Sequence, residues 1–255
     1  MIDDCHYNTG VNTALITGAA KRVGAQIAKR LHAQGYDVAI HYRNSSEQAQ
    51  KLAASLNSLR PDSAACFGAN LSTKLGCDHL IEEFSGWRSN LQLLVNNASV
   101  FQRTPFGEVT EAQWQEQIDG NLKAAFFVSQ AALSILRTTQ QANIVNICDA
   151  RWDKPLAGFS AYAAAKAGMV ALTRCLSLEL APTIRVNAIG PGSLDWPEGN
   201  AFTTEQVKDL EAKIPLQRIG SGDDIADAVL YLCKPESYVN GQIINVDGGC
   251  SAITG

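Results

Sequence analysis

Tyr162 and Lys166 stand four residues apart. On a helix that spacing brings both side chains to one face. A lysine ammonium beside a phenol stabilises the phenolate and lowers its pKa, so that Tyr162 can serve as an acid or a base near neutral pH. A Tyr-x-x-x-Lys pair alone is common and decides nothing. Three further features make it specific: Asn96-Asn97-Ala98-Ser99 after one apolar run, Asn121 inside a helical stretch, and Pro191-Gly192 after another apolar run.

A second chemical signal lies near the start of the chain, in Thr17-Gly18-Ala19-Ala20-Lys21-Arg22-Val23-Gly24. A glycine between a strand and a helix lets the backbone turn tightly and approach a pyrophosphate, and the helix N-terminus supplies free N–H groups and a partial positive charge. A tight turn with no ligand is the alternative; its place after the first strand of an alternating chain favours a nucleotide. An acid about twenty residues on, at the end of the second strand, would select NAD. Asp37 has the right count but precedes the apolar run Val38–Tyr42, at the wrong end of the strand. The other end carries His41-Tyr42-Arg43-Asn44-Ser45 and no acid. Arg43 and Ser45 can hold a 2′-phosphate, with Lys21 nearby, so the residues favour NADP(H). For Arg43 the alternative is a solvated loop cation.

These groups need a scaffold, and the hydrophobic pattern supplies one. Apolar runs at Thr13–Thr17, Val38–Tyr42, Ala64–Phe67, Leu91–Val95, Ala142–Ile147, Ile184–Ile189 and Gln242–Val246 are seven strand candidates. Amphipathic stretches lie between them. They include Val23–Gln34, ended by Gly35, and Ser46–Leu59, stopped before Pro61. Continuous apolar strands separated by helices predict an α/β chain with a parallel sheet covered on both faces. Residues 1–12 read as a flexible tail. The longest ambiguous segment, about 191–203, is a candidate lid over the site; its Trp196 either closes over a pocket or stands exposed.

Bulk properties narrow the function classes. Of 255 residues, 46% are hydrophobic and 18% charged, enough apolar material for a sizeable core and unlike a disordered chain. A net charge of −4 argues against a general nucleic-acid binder. Seven cysteines, an odd number with no C-x-x-C pair, predict reduced thiols in a cytoplasmic protein. There is no metal-ligand motif, the acidic, polar start is unlike a signal peptide, and no apolar run of membrane-spanning length occurs.

Taken in order, these motifs resemble those of the short-chain dehydrogenase/reductase family. The resemblance runs from about Thr13 to Gly249 and includes Thr17-Gly18, Asn96-Asn97-Ala98, Asn121, Tyr162-x-x-x-Lys166, Asn187-x-x-x-Pro191-Gly192 and Val246-Asp247-Gly248-Gly249. It implies a single Rossmann-like, doubly wound domain from residue 13 to 255, and a homotetramer built through long helices. It also implies roles: Tyr162 as proton donor, Lys166 on the nicotinamide ribose, Asn121 supporting a proton-relay water. Cofactor contacts would come from Gly18, Lys21, Arg22, Val23, His41, Tyr42, Arg43, Asn44, Ser45, Asn97, Ala98, Ser99, Pro191, Gly192 and Ser193. Asn70-Leu71 stands where an aspartate often meets adenine; an asparagine oxygen can still accept from the adenine amino group.

Two departures point to a subgroup. Arg22 replaces the middle glycine of the usual turn, and Asp149 replaces the serine thirteen residues before the tyrosine. Both are similar to the pteridine reductases, as are His41-Tyr42 and Asn96–Phe101. That resemblance implies NADPH as cofactor and a pterin as substrate. Arg22 would touch cofactor phosphates and the substrate edge, Ser99 would bond cofactor or pterin, and Phe101 would stack on the pterin. Asp149 and Tyr162 would protonate a ring nitrogen while hydride adds to carbon. Each residue also has a plainer use: Phe101 as core, Asp149 capping Arg151 or its loop, Arg22 paired with a surface acid. Rival activities are a dihydromonapterin-type reductase, a reductase of a carbonyl such as a 3-oxoacyl thioester, and a non-catalytic NADP(H) sensor.

Overall fold

The computed structural model describes residues 11–194, 203–235 and 237–252. The expected tail at 1–12 and the loop at 191–203, with Trp196, lie mostly outside the described residues. The strands are β1 (Thr13–Ile16), β2 (Asp37–Tyr42), β3 (Ala64–Gly68), β4 (Leu93–Asn96), β5 (Ala142–Ile147), β6 (Ile184–Pro191) and β7 (Ile243–Val246). The helices are α1 (Arg22–Ala33), α2 (Ser46–Leu59), α3 (Lys74–Trp87), α4 (Glu111–Ile118), α5 (Ala124–Ala131), α6 (Leu133–Leu136), α7 (Ser160–Glu179), α8 (Thr204–Ala212) and α9 (Gly222–Leu232). The seven strands form one sheet in the order β3-β2-β1-β4-β5-β6-β7, and every neighbouring pair is parallel. This is a Rossmann-like doubly wound α/β fold.

Side-chain alternation explains the two helical layers. In β1, Ala14 and Ile16 join one apolar cluster and Leu15 the other; in β4, Leu93 and Val95 oppose Leu94 in the same way. The first cluster is closed by Ile27 and Leu31 of α1, Leu52 and Leu56 of α2, and Ile225 and Val229 of α9. The second is closed by Leu80 and Phe84 of α3, Val128 of α5 and Leu136 of α6. Strands buried on both faces read as unbroken apolar runs, which is why the sequence pattern located them.

The order reverses between β1 and β4, and ligands in open α/β sheets bind at the carboxyl ends of strands near that switch. Four helices carry side-chain caps at their N-termini, and α1 is among those that do not. Side chains cap α3 (Thr73), α4 (Thr110 with Gln113), α8 (Thr203 with Gln206) and α9 (Ser221 with Asp224). The N-terminus of α1 has neither a side-chain cap nor an acid in its first turn. Its orphan N–H groups are left for an anion.

Candidate active site

A cleft of about 860 Å³ opens over the carboxyl ends of the central strands. One end is built by the β1–α1 turn. Gly18 sits at φ +63°, and a Cβ there would stand 3.0 Å from Ala98 Cα. A Cβ on Gly24 would stand 2.4 Å from the Gly18 carbonyl oxygen. The chain therefore approaches itself as closely as glycine permits, and its backbone lies open to a ligand. Arg22 adopts φ +53°, the left-handed region in which L side chains are strained. That explains why a glycine usually occupies this position, and the substitution retains the turn while adding a cation.

Thr17, Asn97 and His41 hold the turn from behind. Thr17 Oγ1 accepts from the Asn97 and Ala98 N–H groups, both at 2.9 Å, and Asn97 Nδ2 donates to the Thr17 and Gly18 carbonyls at 2.8 and 3.1 Å. His41 Nδ1 accepts from Gly18 N–H at 3.0 Å, and Nε2 pairs with the Ala69 carbonyl at 3.1 Å. Those partners require a neutral ring protonated on Nε2. Burial pushes its pKa down to about 4, against a smaller opposing pull from the Ala69 carbonyl.

Lys21, Arg22, Val23, His41 and Arg43 line this end of the cleft, with Leu71, Asn97, Ala98 and Ser99. Lys21, Arg22 and Arg43 are exposed. None of the three makes a side-chain hydrogen bond or ion pair to another described residue. The open cradle, the uncapped helix and three uncommitted cations fit a phosphorylated dinucleotide. Tyr42, Asn44, Ser45 and Asn70 lie outside this wall. The Tyr42 ring packs over Gly68, and Asn70 Oδ1 accepts from Ser72 N–H at 3.1 Å in a local turn. Asp37 is buried at the opposite end of β2, where Arg88 and Arg60 bind its carboxylate at 3.0 and 3.3 Å.

At the other end, Asp149 follows β5 and Tyr162 lies in the first turn of α7. Tyr162 Oη donates to Asp149 Oδ2 at 2.8 Å, while Asp149 Oδ1 accepts from Arg151 N–H at 2.7 Å. Asp149 thus both caps its loop and meets the tyrosine. Lys166 is buried and its ammonium donates to the Ile147 carbonyl at 2.9 Å, 5.7 Å from the Tyr162 ring centroid. Burial lowers the Lys166 pKa, with Cys148 and Asp149 opposing.

The tyrosine corrects a sequence expectation. Its pKa is raised, chiefly by burial and then by the Asp149 carboxylate and the hydrogen bond to it. In this arrangement, Tyr162 holds its proton, and the expected lowering by Lys166 does not prevail.

Asn121 lies in a π-helical turn, Asp119–Lys123, between α4 and α5. Such turns recur at functional sites. Its amide donates to the Val100 and Gln117 carbonyls at 2.9 and 2.8 Å, and its oxygen accepts from Ser99 Oγ at 2.7 Å. Asn121 therefore fixes the segment Ser99–Val100 that borders the cleft. Asn96 and Asn187 serve the scaffold: Asn96 bonds Asn146 at 2.9 Å across β4 and β5, and Asn187 bonds the Val239 carbonyl at 2.9 Å.

Phe101 is 63% exposed, so it is not a core residue. Its ring stacks on Phe159 at 4.8 Å and 6°, and meets Tyr162 edge-on at 4.8 Å and 78°. Phe159 carried no motif; it stands at the cap position just before α7, three residues ahead of Tyr162.

Across this chain, the family model described as "Enoyl-(Acyl carrier protein) reductase" matches residues 18–251. The chain belongs to the short-chain dehydrogenase/reductase family. It is an oxidoreductase of that family, whose reductases use nicotinamide cofactors. It is 35% identical to Pteridine reductase 1 of Leishmania tarentolae over 93% of this chain and 96% of that protein. It is 33% identical to the 3-oxoacyl-(acyl-carrier-protein) reductase FabG of Staphylococcus aureus strain Mu50, over 93% of this chain and 97% of that one. It is also 32% identical to Nodulation protein G of a Rhizobium species, strain N33, over 94% and 97%. Among the described residues no helix is long and apolar enough to cross a membrane, and no cluster of metal-ligating side chains occurs.

Within this short-chain reductase, loop residues complete the cleft; Pro191, Gly192 and Ser193 were expected from the sequence, and no motif announces the others. Arg151, Trp152, Pro155, Leu156 and Phe159 come from the β5–α7 segment, and Pro191, Gly192, Ser193 and Leu194 from the end of β6. A Cβ on Gly192 would stand 2.6 Å from Asp247, so the Pro191-Gly192 and Asp247-Gly248 motifs are two sides of one close contact.

Proposed function

We propose that this chain is an NADPH-dependent pteridine reductase, which reduces a C=N bond of a dihydropterin or pterin to the tetrahydro form. The observation that carries the proposal is the Asp149 carboxylate hydrogen-bonded to Tyr162, beside the exposed ring of Phe101. The 35% identity to a pteridine reductase supports the same substrate class.

In this reading Gly18 and the N-terminus of α1 receive the pyrophosphate, with Lys21 and Arg22. Arg43 meets the 2′-phosphate; the absence of an acid at the end of β2 favours NADPH over NADH. Lys166 uses one of its three donors on Ile147 and has two left for ribose hydroxyls. Pro191, Gly192 and Ser193 flank the nicotinamide side. The bound cofactor supplies hydride to the substrate carbon.

The protein supplies the proton. Phe101 and its neighbour Tyr162 meet edge-on, so a flat heterocycle resting on Phe101 brings its ring nitrogen near the tyrosine hydroxyl. Tyr162 holds a proton at neutral pH because burial and Asp149 raise its pKa. Its transfer to nitrogen balances the hydride added at carbon; Asp149 then takes a proton from solvent and passes it along the 2.8 Å hydrogen bond to the tyrosinate, which restores Tyr162. Lys166 stabilises the transient phenolate. A serine at position 149 could offer a hydrogen bond, but its hydroxyl has no acid titration near neutral pH and could not store a proton as a carboxyl group does.

The similarity to a 3-oxoacyl-(acyl-carrier-protein) reductase favours a second reading, reduction of a carbonyl. NADPH oxidation followed with a dihydropterin, an oxidised pterin and a 3-oxoacyl thioester separates the two. Turnover of the thioester without turnover of either pterin would overturn the proposal. The resemblance further supports a homotetramer built through long helices that include α7, and the free cysteines support a cytoplasmic location.

A further inference from the structure

Among the described residues, six charged side chains line the cleft: Lys21, Arg22, Arg43, Asp149, Arg151 and Lys166. Five are cations and one is an anion, in a chain of net charge −4. Four of the cations have a place in the cofactor reading. Arg151 does not. It lies on the segment after β5, while the phosphate cations follow β1 and β2; β5 stands two strands from β1 and three from β2, about 10 and 14 Å across the sheet.

The Arg151 side chain is exposed and makes no hydrogen bond or ion pair to another described residue. Its backbone is fixed. Its N–H donates to Asp149 Oδ1 at 2.7 Å, its carbonyl accepts from Lys154 N–H at 3.1 Å, and Trp152 N–H reaches the Asp149 carbonyl at 3.2 Å. Two successive turns therefore anchor the base of a side chain whose charged end is uncommitted. The carboxylate in this wall, Asp149, already accepts from Tyr162 and from Arg151's own N–H.

We infer that Arg151 is a specificity-determining residue that recognises an anionic group, a carboxylate or a phosphate, carried on the side chain of the substrate. The inference rests on the pterin reading above and extends it from the ring to the tail. A guanidinium fork matches both anions bidentately. The carboxylate that meets Tyr162 also sets the turn from which Arg151 projects, so the reacting ring and the tail are registered by one group. The excess of cations would also draw an anionic substrate into the cleft.

The test uses the full chain with saturating NADPH and three dihydropterins: one with a neutral hydroxyalkyl side chain, one with a carboxylate tail, one with a phosphate tail. Wild type should show kcat/KM for at least one anionic substrate roughly tenfold or more above the neutral one. The better of the two tails identifies the anion. Arg151→Gln should bring that ratio close to one, through a raised KM for the anionic substrate with kcat retained. Arg151→Lys should keep part of the preference, and the dissociation constant for NADPH should not move in either variant. A wild-type ratio near one, with the dihydropterins turned over, overturns the inference alone. So does an Arg151→Gln variant that lowers all three substrates alike, or one that weakens NADPH. If none of the dihydropterins is reduced, the pterin reading falls and this inference with it.

Discussion

Tyr162 donates a 2.8 Å hydrogen bond to Asp149, and the same carboxylate accepts the backbone N–H of Arg151 through its other oxygen. Two residues thirteen positions apart are thus joined by one hydrogen bond, and the proposed chemistry treats them as one unit. Asp149→Ala, Asp149→Asn and Tyr162→Phe should each fold, bind NADPH and lose about 10²–10⁴ in pterin turnover. The double variant should be little worse than either single one, because removal of one partner already disables the unit. Single-turnover rates across the set decide it; losses that multiply would separate the two residues, and wild-type turnover in Asp149→Ala would remove Asp149 from the chemistry.

Tyr162 should also hold its proton well into alkaline solution. Burial is the main cause and the Asp149 carboxylate the next. Comparison of tyrosinate absorbance in wild type and Tyr162→Phe should show no ionisation of Tyr162 in the free enzyme below about pH 10. Asp149→Asn should bring its ionisation to lower pH. A Tyr162 that ionises near neutrality without cofactor would show that Lys166 dominates after all.

The proposed preference for NADPH rests chiefly on Arg43. Arg43→Asp should weaken NADPH by about ten- to a hundredfold, the worth of a charged hydrogen bond of about 1.5–3 kcal/mol, and should spare or improve NADH. Titration of each cofactor into wild type and variant tests this. Equal affinity of the wild type for both would remove the 2′-phosphate from Arg43.

The aromatic pair predicts a split between substrate and cofactor. Phe101→Ala should raise KM for a dihydropterin roughly two- to tenfold, from about 0.5–1.5 kcal/mol of lost stacking, with NADPH binding nearly unchanged. Phe159→Ala should act in the same direction and more weakly, because Phe159 supports the Phe101 ring from one face. Loss of NADPH binding in Phe101→Ala would place that ring on the cofactor instead.

The parts legible in sequence were those with a repeating physical signature. Strands buried on both faces write continuous apolar runs, and the turn at Gly18 writes a glycine wherever Cβ has no room. The four-residue spacing of Tyr162 and Lys166 likewise survives folding, since α7 carries both. What depended on contacts between distant elements was not legible. The direction of the Tyr162 shift follows from burial and from a carboxylate at the end of β5, not from the lysine one turn away. The Phe101–Phe159 stack joins the segment after β4 to the start of α7. His41 was expected at the cofactor; the structure shows it lining the cleft and holding Gly18 from behind, a role no spacing announces.

That buried histidine makes stability depend on pH. Burial lowers the His41 pKa from 6.5 to about 4, so the folded protein disfavours a proton that the unfolded chain accepts more readily. Between about pH 6.5 and about pH 4 the unfolded state binds more protons, and stability must fall as pH falls. Above this window both states are neutral and nothing is lost; below it both are charged and the loss levels off, at about 3 kcal/mol. Protonation also removes the acceptor for Gly18 N–H and so should loosen the phosphate turn. Urea unfolding of wild type across the window should show this loss. His41→Asn, which can still accept from Gly18 N–H but does not titrate there, should be less stable than wild type at neutral pH and should lack this part of the slope, so the gap between the two narrows as the solution is acidified. Parallel stability curves for the two proteins would show that His41 is not the group responsible.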